Sequence, residues 1–150
     1  MPPHDNTLKL EITDAPQEDD LAIIQNGLNG FNLDQGISTK KIILSVFMRD
    51  KTGQVRAGLY GATAWGWLHV RWLWVEESLR GQGVAGQLLK GAENEARTRG
   101  CHGAHIDTFS ADALRIYQHY GYRIFGELED FPKGGTRTFL QKRLDLSGND

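Results

Sequence analysis

The stretch Leu73-Trp-Val-Glu-Glu-Ser-Leu-Arg80-Gly-Gln-Gly-Val-Ala-Gly86 concentrates residue types that can hold an anion. Three glycines fall within six residues, and Arg80 stands directly in front of them. Glycine lets the backbone adopt positive φ and lets a ligand come close to it. An apolar strand ends at Val75 and helical spacing begins at Val84, so the turn stands at a helix start. Unpaired N–H groups and the helix dipole favour negative charge there, and Arg80 can add a charge-assisted contact. A pyrophosphate fits that description. A glycine pair that only turns the chain would be the bland reading; three glycines with no loop residues to spare favour a ligand.

The same turn matches another pattern. Gly81-x-Gly83-x-x-Gly86 is the dinucleotide fingerprint, with Asp107 about 20 residues further on at a strand end. That fingerprint belongs in a series of parallel βαβ units, whereas a three-strand meander precedes it here. The Walker lysine is absent, which argues against a P-loop nucleotide hydrolase. The single cysteine, Cys101, rules out an internal disulfide and suits a reducing compartment. It follows Gly100 at a helix end with no motif around it, so a buried inert thiol is favoured over an acyl-carrying nucleophile. His102 and His105 lack the four-ligand spacing of a structural zinc site, and no metal is assigned.

The elements that must position this turn follow from periodicity. Residues 8–13 alternate and predict a first strand. Gln17–Phe31 predicts a helix with Leu21, Ile24 and Leu28 on one face, weakened at its end by Asn26, Gly27, Asn29 and Gly30. Residues 41–49 and 54–64 predict a hairpin about the turn Asp50-Lys-Thr-Gly53. Residues 67–75 continue the meander, with Leu68, Val70, Trp72 and Trp74 on one face and His69, Arg71, Leu73 and Val75 on the other. Val84, Leu88, Ala92 and Ala96 predict a helix over 84–99, stopped by Gly100. A strand at 104–109, a helix over Asp112–Tyr120 ended by Gly121, and strands at 122–128 and 136–143 complete the chain. A meander followed by a β-α-β-α-β half makes a mixed α/β or α+β sheet. Trp65, Trp67, Trp72 and Trp74 are expected to fill the core or a subunit interface.

Bulk properties exclude other classes. The length of 150 residues suits one domain, 1–150, with a real core. A net charge of -2 and a pI near 6.2 give no basic footprint for nucleic acid. No apolar run approaches the ~20 residues of a membrane span, and Met1-Pro-Pro-His-Asp lacks the layout of a signal peptide. A cytoplasmic protein is expected.

Two motifs together resemble a known family. Arg80-x-x-Gly83-x-Ala85 is similar to the R/Q-x-x-G-x-G/A signature of the GNAT superfamily of N-acetyltransferases, and Leu73-Trp-Val75 resembles the splayed strand in front of it. Downstream, Ala113-Leu-Arg-Ile-Tyr117-Gln-His-Tyr-Gly121-Tyr122 resembles that family's A-x-x-[LIF]-Y-x-x-x-G-[FY] segment. The likeness runs from about Gln54 to Leu144, including Asp107-Thr-Phe-Ser110 and Phe125-Gly-Glu-Leu, and the first 40 residues add little. It implies a mixed, mostly antiparallel sheet of six to seven strands flanked by about four helices.

The resemblance also implies roles. Backbone groups of Leu73 and Val75, on either side of Trp74, would pair with the pantetheine amides of acetyl-CoA. N–H groups across Arg80, Gly81, Gln82, Gly83, Val84, Ala85 and Gly86 would hold its pyrophosphate. Tyr117 would protonate the departing CoA thiolate. Ser110 stands where the family often has an asparagine for the pantetheine arm, and Glu77 where a proline is common.

The expected reaction is acetyl transfer to a primary amine by direct attack in a ternary complex. A phenol with pKa near 10 can protonate a thiolate, although spacing alone leaves Tyr117 equally able to be a packing residue. The ammonium proton needs a base: Asp107 and His69 are candidates, with Glu76 behind them. The acceptor would be a small metabolite, a polyamine, an aminoglycoside-like compound or a protein amine, and a homodimer is plausible. A non-catalytic acyl-CoA-binding regulatory module is the alternative, with a dinucleotide-binding oxidoreductase third.

Overall fold

The computed structural model describes residues 7–36 and 40–145. Contacts divide the chain into two compact units, Met1–Ile37 and Ser38–Asp150. In the first, α1 spans Glu18–Asp34, with Glu18, Asp19 and Asp20 in its first turn where the dipole favours acid. The helix runs through Asn26, Gly27, Asn29 and Gly30, past the expected end at Phe31. Residues 8–13 form no strand, and Leu8, Leu10 and Ile12 are exposed. Alternation alone does not make a strand where no neighbour completes the hydrogen-bond ladder.

The second unit is built on one six-stranded sheet in the order β1-β2-β3-β4-β6-β5. Its strands are β1 (Ile42–Arg49), β2 (Val55–Ala64), β3 (Trp67–Val75), β4 (Gly103–Thr108), β5 (Arg123–Glu129) and β6 (Thr136–Arg143). Helix α2 (Val84–Thr98) links β3 to β4 and α3 (Ala111–His119) links β4 to β5, with a 3-10 turn at Glu77–Leu79. Among the described residues only the β3–β4 pair is parallel. The expected mixed, mostly antiparallel sheet is therefore present, with six strands. One parallel pair is not the doubly wound sheet of a dinucleotide-binding fold.

Local chemistry explains the hairpins. Asp50 Oδ1 accepts from the Thr52 and Gln54 amides at 2.9 and 3.1 Å and closes the β1–β2 turn. Trp65 (φ 55°) and Gly66 (φ 79°) form a two-residue connection between β2 and β3 with positive φ at both positions. Leu88, Leu89, Ala92 and Ala96 of α2 are buried with Leu59, Leu68, Val70, Ala104, Ile106 and Leu140 of the sheet.

Strand β3 departs from simple alternation. Tyr60 pairs with Trp72 but Gly61 pairs with Val70, which leaves Arg71 as an extra residue opposite β2. Such a bulge reverses the facing of everything beyond it. Leu68 and Val70 point into the core, and after the bulge Leu73 and Val75 do so, while Trp72 and Trp74 are exposed. The expectation that Leu68, Val70, Trp72 and Trp74 share one face is thus corrected. Trp65 is exposed as well and Trp67 only half-buried, so the tryptophans do not fill the core. Trp72 instead stacks on Tyr60, ring centroids 4.7 Å apart.

Candidate active site

The bulge has a second effect. β3 pairs with β4 only from Trp67 to Val70, opposite Gly103 to Ile106. From Arg71 to Val75, β3 keeps β2 on one side and has no strand on the other among the described residues. β4 runs on to Thr108, held by β6. Beyond the parting, between the free end of β3 and α3, opens a cleft of about 780 Å³. Leu73, Trp74 and Val75 form one wall, Arg80, Gly81, Gly83, Val84 and Ala85 one end, and Ser110, Ala113, Ile116 and Tyr117 the side of α3.

Ten of the residues expected at this site therefore line one cavity, Tyr117 among them. Gln82 does not; its Nε2 donates to the Ser78 carbonyl at 3.1 Å. Nor does Gly86, which is buried under α3: a Cβ there would lie 2.3 Å from the Tyr120 ring. The third glycine of the turn permits helix packing.

The turn itself is suited to an anion. Gly81 and Gly83 have φ of 76° and 80°, and a Cβ on either would meet nothing within 4 Å. Gly83 is the N-cap of α2, and the first intrahelical bond comes from Gln87 N to Gly83 O at 3.1 Å. The amides of the first turn before Gln87 have no helical acceptor. Arg80 Nε donates to the Val75 carbonyl at 3.0 Å. It thereby ties the turn to the end of β3 and occupies a backbone acceptor of the open edge.

Ser110 caps α3, its Oγ accepting from Ala113 N at 3.2 Å. Two turns of α3 further along the cleft wall, Tyr117 is 7% exposed. Burial, aided by the negative charge of Asp107, pushes its phenol up to about 12. Its hydroxyl has no hydrogen-bond partner among the described residues, so its proton is retained and unengaged near neutral pH.

Asp107 and His69 lie outside the cleft lining, beside the place where β3 and β4 part. Asp107 Oδ1 accepts from Arg137 Nε at 2.9 Å and lies 2.7 Å from its Nη2. His69 stacks flat on His105 across the β3–β4 ladder, centroids 4.4 Å apart and 7° between planes. Burial pushes both imidazoles below the ordinary 6.5, His69 against the opposing pull of Asp107 and His105 further by His69 itself. Glu76 is engaged by Arg56 Nε and receives Ser78 Oγ at 3.3 Å. Cys101 is buried and its thiol pushed up by that burial, which keeps it protonated and unreactive. No group of three or more His, Cys, Asp or Glu able to hold a metal occurs among the described residues.

The pairing of Arg137 with Asp107 and the stacking of His105 on His69 are not legible in the sequence because both depend on strand register. Asp107 faces Phe139 in the β4–β6 ladder, and Arg137 lies two residues away on the same face. No helix among the described residues is long and apolar enough to cross a membrane.

Comparison with known proteins bears on this geometry. The model of the acetyltransferase (GNAT) domain matches residues 41–124. The acetyltransferase Atu2258 of Agrobacterium fabrum is 42% identical over 139 residues, covering 93% of this chain and 99% of its own. The blasticidin-S acetyltransferase of Streptomyces morookaense is 36% identical over 103 residues, 68% of this chain and 76% of its own. The crystal structure of an acetyltransferase from Agrobacterium tumefaciens superimposes with a TM-score of 0.83 at 40% identity, covering 91% of this chain and 99% of that one.

Proposed function

The chain belongs to the GNAT acetyltransferases, and from that premise we propose that it moves an acetyl group from acetyl-CoA to the primary amine of a small molecule. The observation that carries the reading is the meeting of the open edge of β3, the Gly81–Gly83 turn and Tyr117 in one cleft. The volume of that cleft, about 780 Å³, is in the range of small-molecule and cofactor sites. The 99% coverage of the Agrobacterium relative supports treating residues 1–150 as one catalytic domain.

In the proposed mechanism the backbone of Leu73 and Val75 pairs with the amides of the pantetheine arm. Amides of the turn from Gly81 to Ala85 hold the pyrophosphate, and the Ser110 hydroxyl donates to the arm. The amine attacks the thioester carbonyl directly, its nitrogen bonds to the acetyl carbon, and the C–S bond breaks. Tyr117 delivers its proton to the departing sulfur. His69, neutral at pH 7 because burial lowers its pKa, takes the amine proton through water. Asp107, tied to Arg137, orients the arriving ammonium.

The relative named for blasticidin S supports an amine-bearing antibiotic or similar cationic metabolite as acceptor. The test is acetyl-CoA-dependent thiol release with a panel of such amines, alongside melting temperature with acetyl-CoA and with NAD. Stabilisation by acetyl-CoA alone and turnover with at least one amine are expected. Binding without thiol release from any amine, polyamine or peptide would leave an acyl-CoA sensor.

A further inference from the structure

The sheet presents a second face at the place where β3 and β4 part. Leu68 and Val70 of β3, Ala104 and Ile106 of β4 and Leu140 of β6 belong to the core under α2, so the residues alternating with them point to the other side. Those include His69, His105, Asp107 and Phe139, matched across the ladders as His69 with His105 and Asp107 with Phe139. Arg137, two residues from Phe139, shares their face. The paired stretch of β3 and β4 ends at Val70 and Ile106, so Asp107 is the first residue of β4 past it. The charge of Asp107 also reaches the Tyr117 phenol, which places this face beside the reacting end of the cleft.

Arg137 is held in a fixed orientation there. Its Nε and Nη2 lie 2.9 and 2.7 Å from one oxygen of Asp107, Oδ1. The guanidinium carbon stands 4.8 Å from the centre of the Phe131 ring and 5.3 Å from that of Phe139, so two aromatic rings steady the group. Nη1 has no hydrogen-bond partner among the described residues, and the side chain is 32% exposed, so a ligand can reach it.

Charge around this spot is unbalanced. The charged groups that act on His69 are three cations, Arg71, Lys41 and Arg137, and one anion, Asp107. His105, stacked on His69, is neutral at pH 7 because burial lowers its pKa. Arg71, the bulge residue, lies 5.7 Å from the centre of the Trp72 ring and pairs with no carboxylate among the described residues. Such a face attracts an anion, while Asp107 still suits an ammonium. An ion pair that offers one partner to each sign of charge matches a molecule carrying both.

Resting on the acetyl-transfer reading above, we propose that Arg137 receives an acidic group of the acceptor, and that the acceptors are amines carrying a carboxylate a short chain away from the reacting nitrogen. The ammonium meets Asp107 and the carboxylate takes the Nη1 edge of Arg137. A cationic metabolite fits this face when an acid accompanies its amines. A polyamine without one meets three cations and a carboxylate already tied to Arg137. Arg137 is thus a specificity-determining residue that acts on the acceptor and not on acetyl-CoA.

The experiment is acetyl-CoA-dependent thiol release by the full chain, for wild type, Arg137→Gln and Arg137→Lys. The acceptors are matched in length: β-alanine, its primary amide and propanediamine, then γ-aminobutanoate, its primary amide and putrescine, beside the wider amine panel. Wild type is expected to favour each acid over its amide by about tenfold in kcat/KM, the scale of one charge-assisted contact with some access to water, with the diamine last. Arg137→Gln abolishes the preference. Arg137→Lys retains part of it, because the charge remains while the planar fork is lost, and added salt narrows it in wild type. Stabilisation by acetyl-CoA persists in both variants. A role confined to bracing Asp107 would lower acid and amide alike, so an Arg137→Gln variant that loses both in equal proportion overturns the proposal. Equal use of acid and amide by wild type overturns it too, as does turnover in the wider panel confined to amines without an acid. Thiol release with no amine at all defeats the acetyl-transfer reading itself, and this subsite with it.

Discussion

A Cβ on Gly61 would come within 2.1 Å of the His69 carbonyl oxygen, a contact no real side chain tolerates. Gly61 is the residue of β2 that faces the bulge of β3, where Val70 and Trp72 take consecutive partners on either side of Arg71. The close approach is therefore part of how β3 leaves β4 and opens the cleft. Because the clash is with backbone, it cannot be relieved by a rotamer change.

Gly61→Ala should destabilise the fold by about 1–3 kcal/mol, the usual range for overpacking. At this chain length that lowers Tm by about 2–4 °C for each kcal/mol. Gly58→Ala is the control, since its nearest neighbour is the movable Phe47 side chain at 3.2 Å. Thermal unfolding of both, with acetyl-CoA titrations, checks the idea. Gly61→Ala should also lose coenzyme affinity; equal and mild effects at the two positions would mean that the bulge does not depend on Gly61.

Gly83→Asp should abolish CoA binding and leave the fold largely intact. The position has φ of 80° and open space around it, so the substitution costs mainly left-handed backbone strain, roughly 1–2 kcal/mol. A carboxylate at the start of α2 would repel a pyrophosphate. Gly83→Asn imposes similar strain without charge and should bind with intermediate affinity. Calorimetry reporting unchanged affinity for the aspartate variant would put the pyrophosphate elsewhere.

Much of the geometry of this cleft is legible in local sequence signals, and the parts that are not share a cause. The glycine turn, α2 and α3 depend on local signals: positive-φ residues, helical spacing and the Ser110 cap. The facing of Trp72 and Trp74 is not legible because Leu-His-Val-Arg-Trp-Leu-Trp-Val alternates smoothly, and the bulge that reverses it lies opposite Gly61 on another strand. Gly86 matched a ligand-binding pattern but is a glycine for Tyr120, over 30 residues downstream. The Asp107–Arg137 pair and the His69–His105 stack exist only once β4 is in register with β6 and β3. Residues 8–13 had the alternation of a strand and no ladder to join.

The imidazoles predict the acid side of the pH profile. Burial holds the His69 and His105 pKa values below 6.5, so the neutral base persists into mildly acid solution. kcat/KM should rise with pH along a limb whose midpoint lies below 6.5, and His69→Gln should remove that limb. Stability follows the same sign. The unfolded chain takes up these protons at higher pH than the folded one, so the contribution is complete above 6.5 and declines as pH falls through the folded values. A limb that survives in His69→Gln would transfer the base role to another group.

Tyr117→Phe should lower kcat by roughly 10²-fold with little change in acetyl-CoA affinity, the loss expected for a general acid. Phenylalanine keeps the ring that packs 6.3 Å from Tyr122 and removes only the hydroxyl. Because burial pushes this phenol up to about 12, wild type should show no loss of the acid across the neutral range; the proton becomes unavailable only as pH rises toward that value. The high pKa also keeps proton transfer uphill even to a fully formed thiolate, whose thiol lies at about 8.5 when free, so donation relies on the same burial raising the sulfur's basicity and belongs late in C–S cleavage. Acyl donors with a more acidic thiol need that proton less, and the mutant should recover most of its rate with them. Steady-state thiol release for wild type and mutant, with both kinds of donor and the best amine, measures each term. Near-wild-type kcat in the mutant, with chemistry limiting, would reduce Tyr117 to a packing residue and leave proton delivery to water.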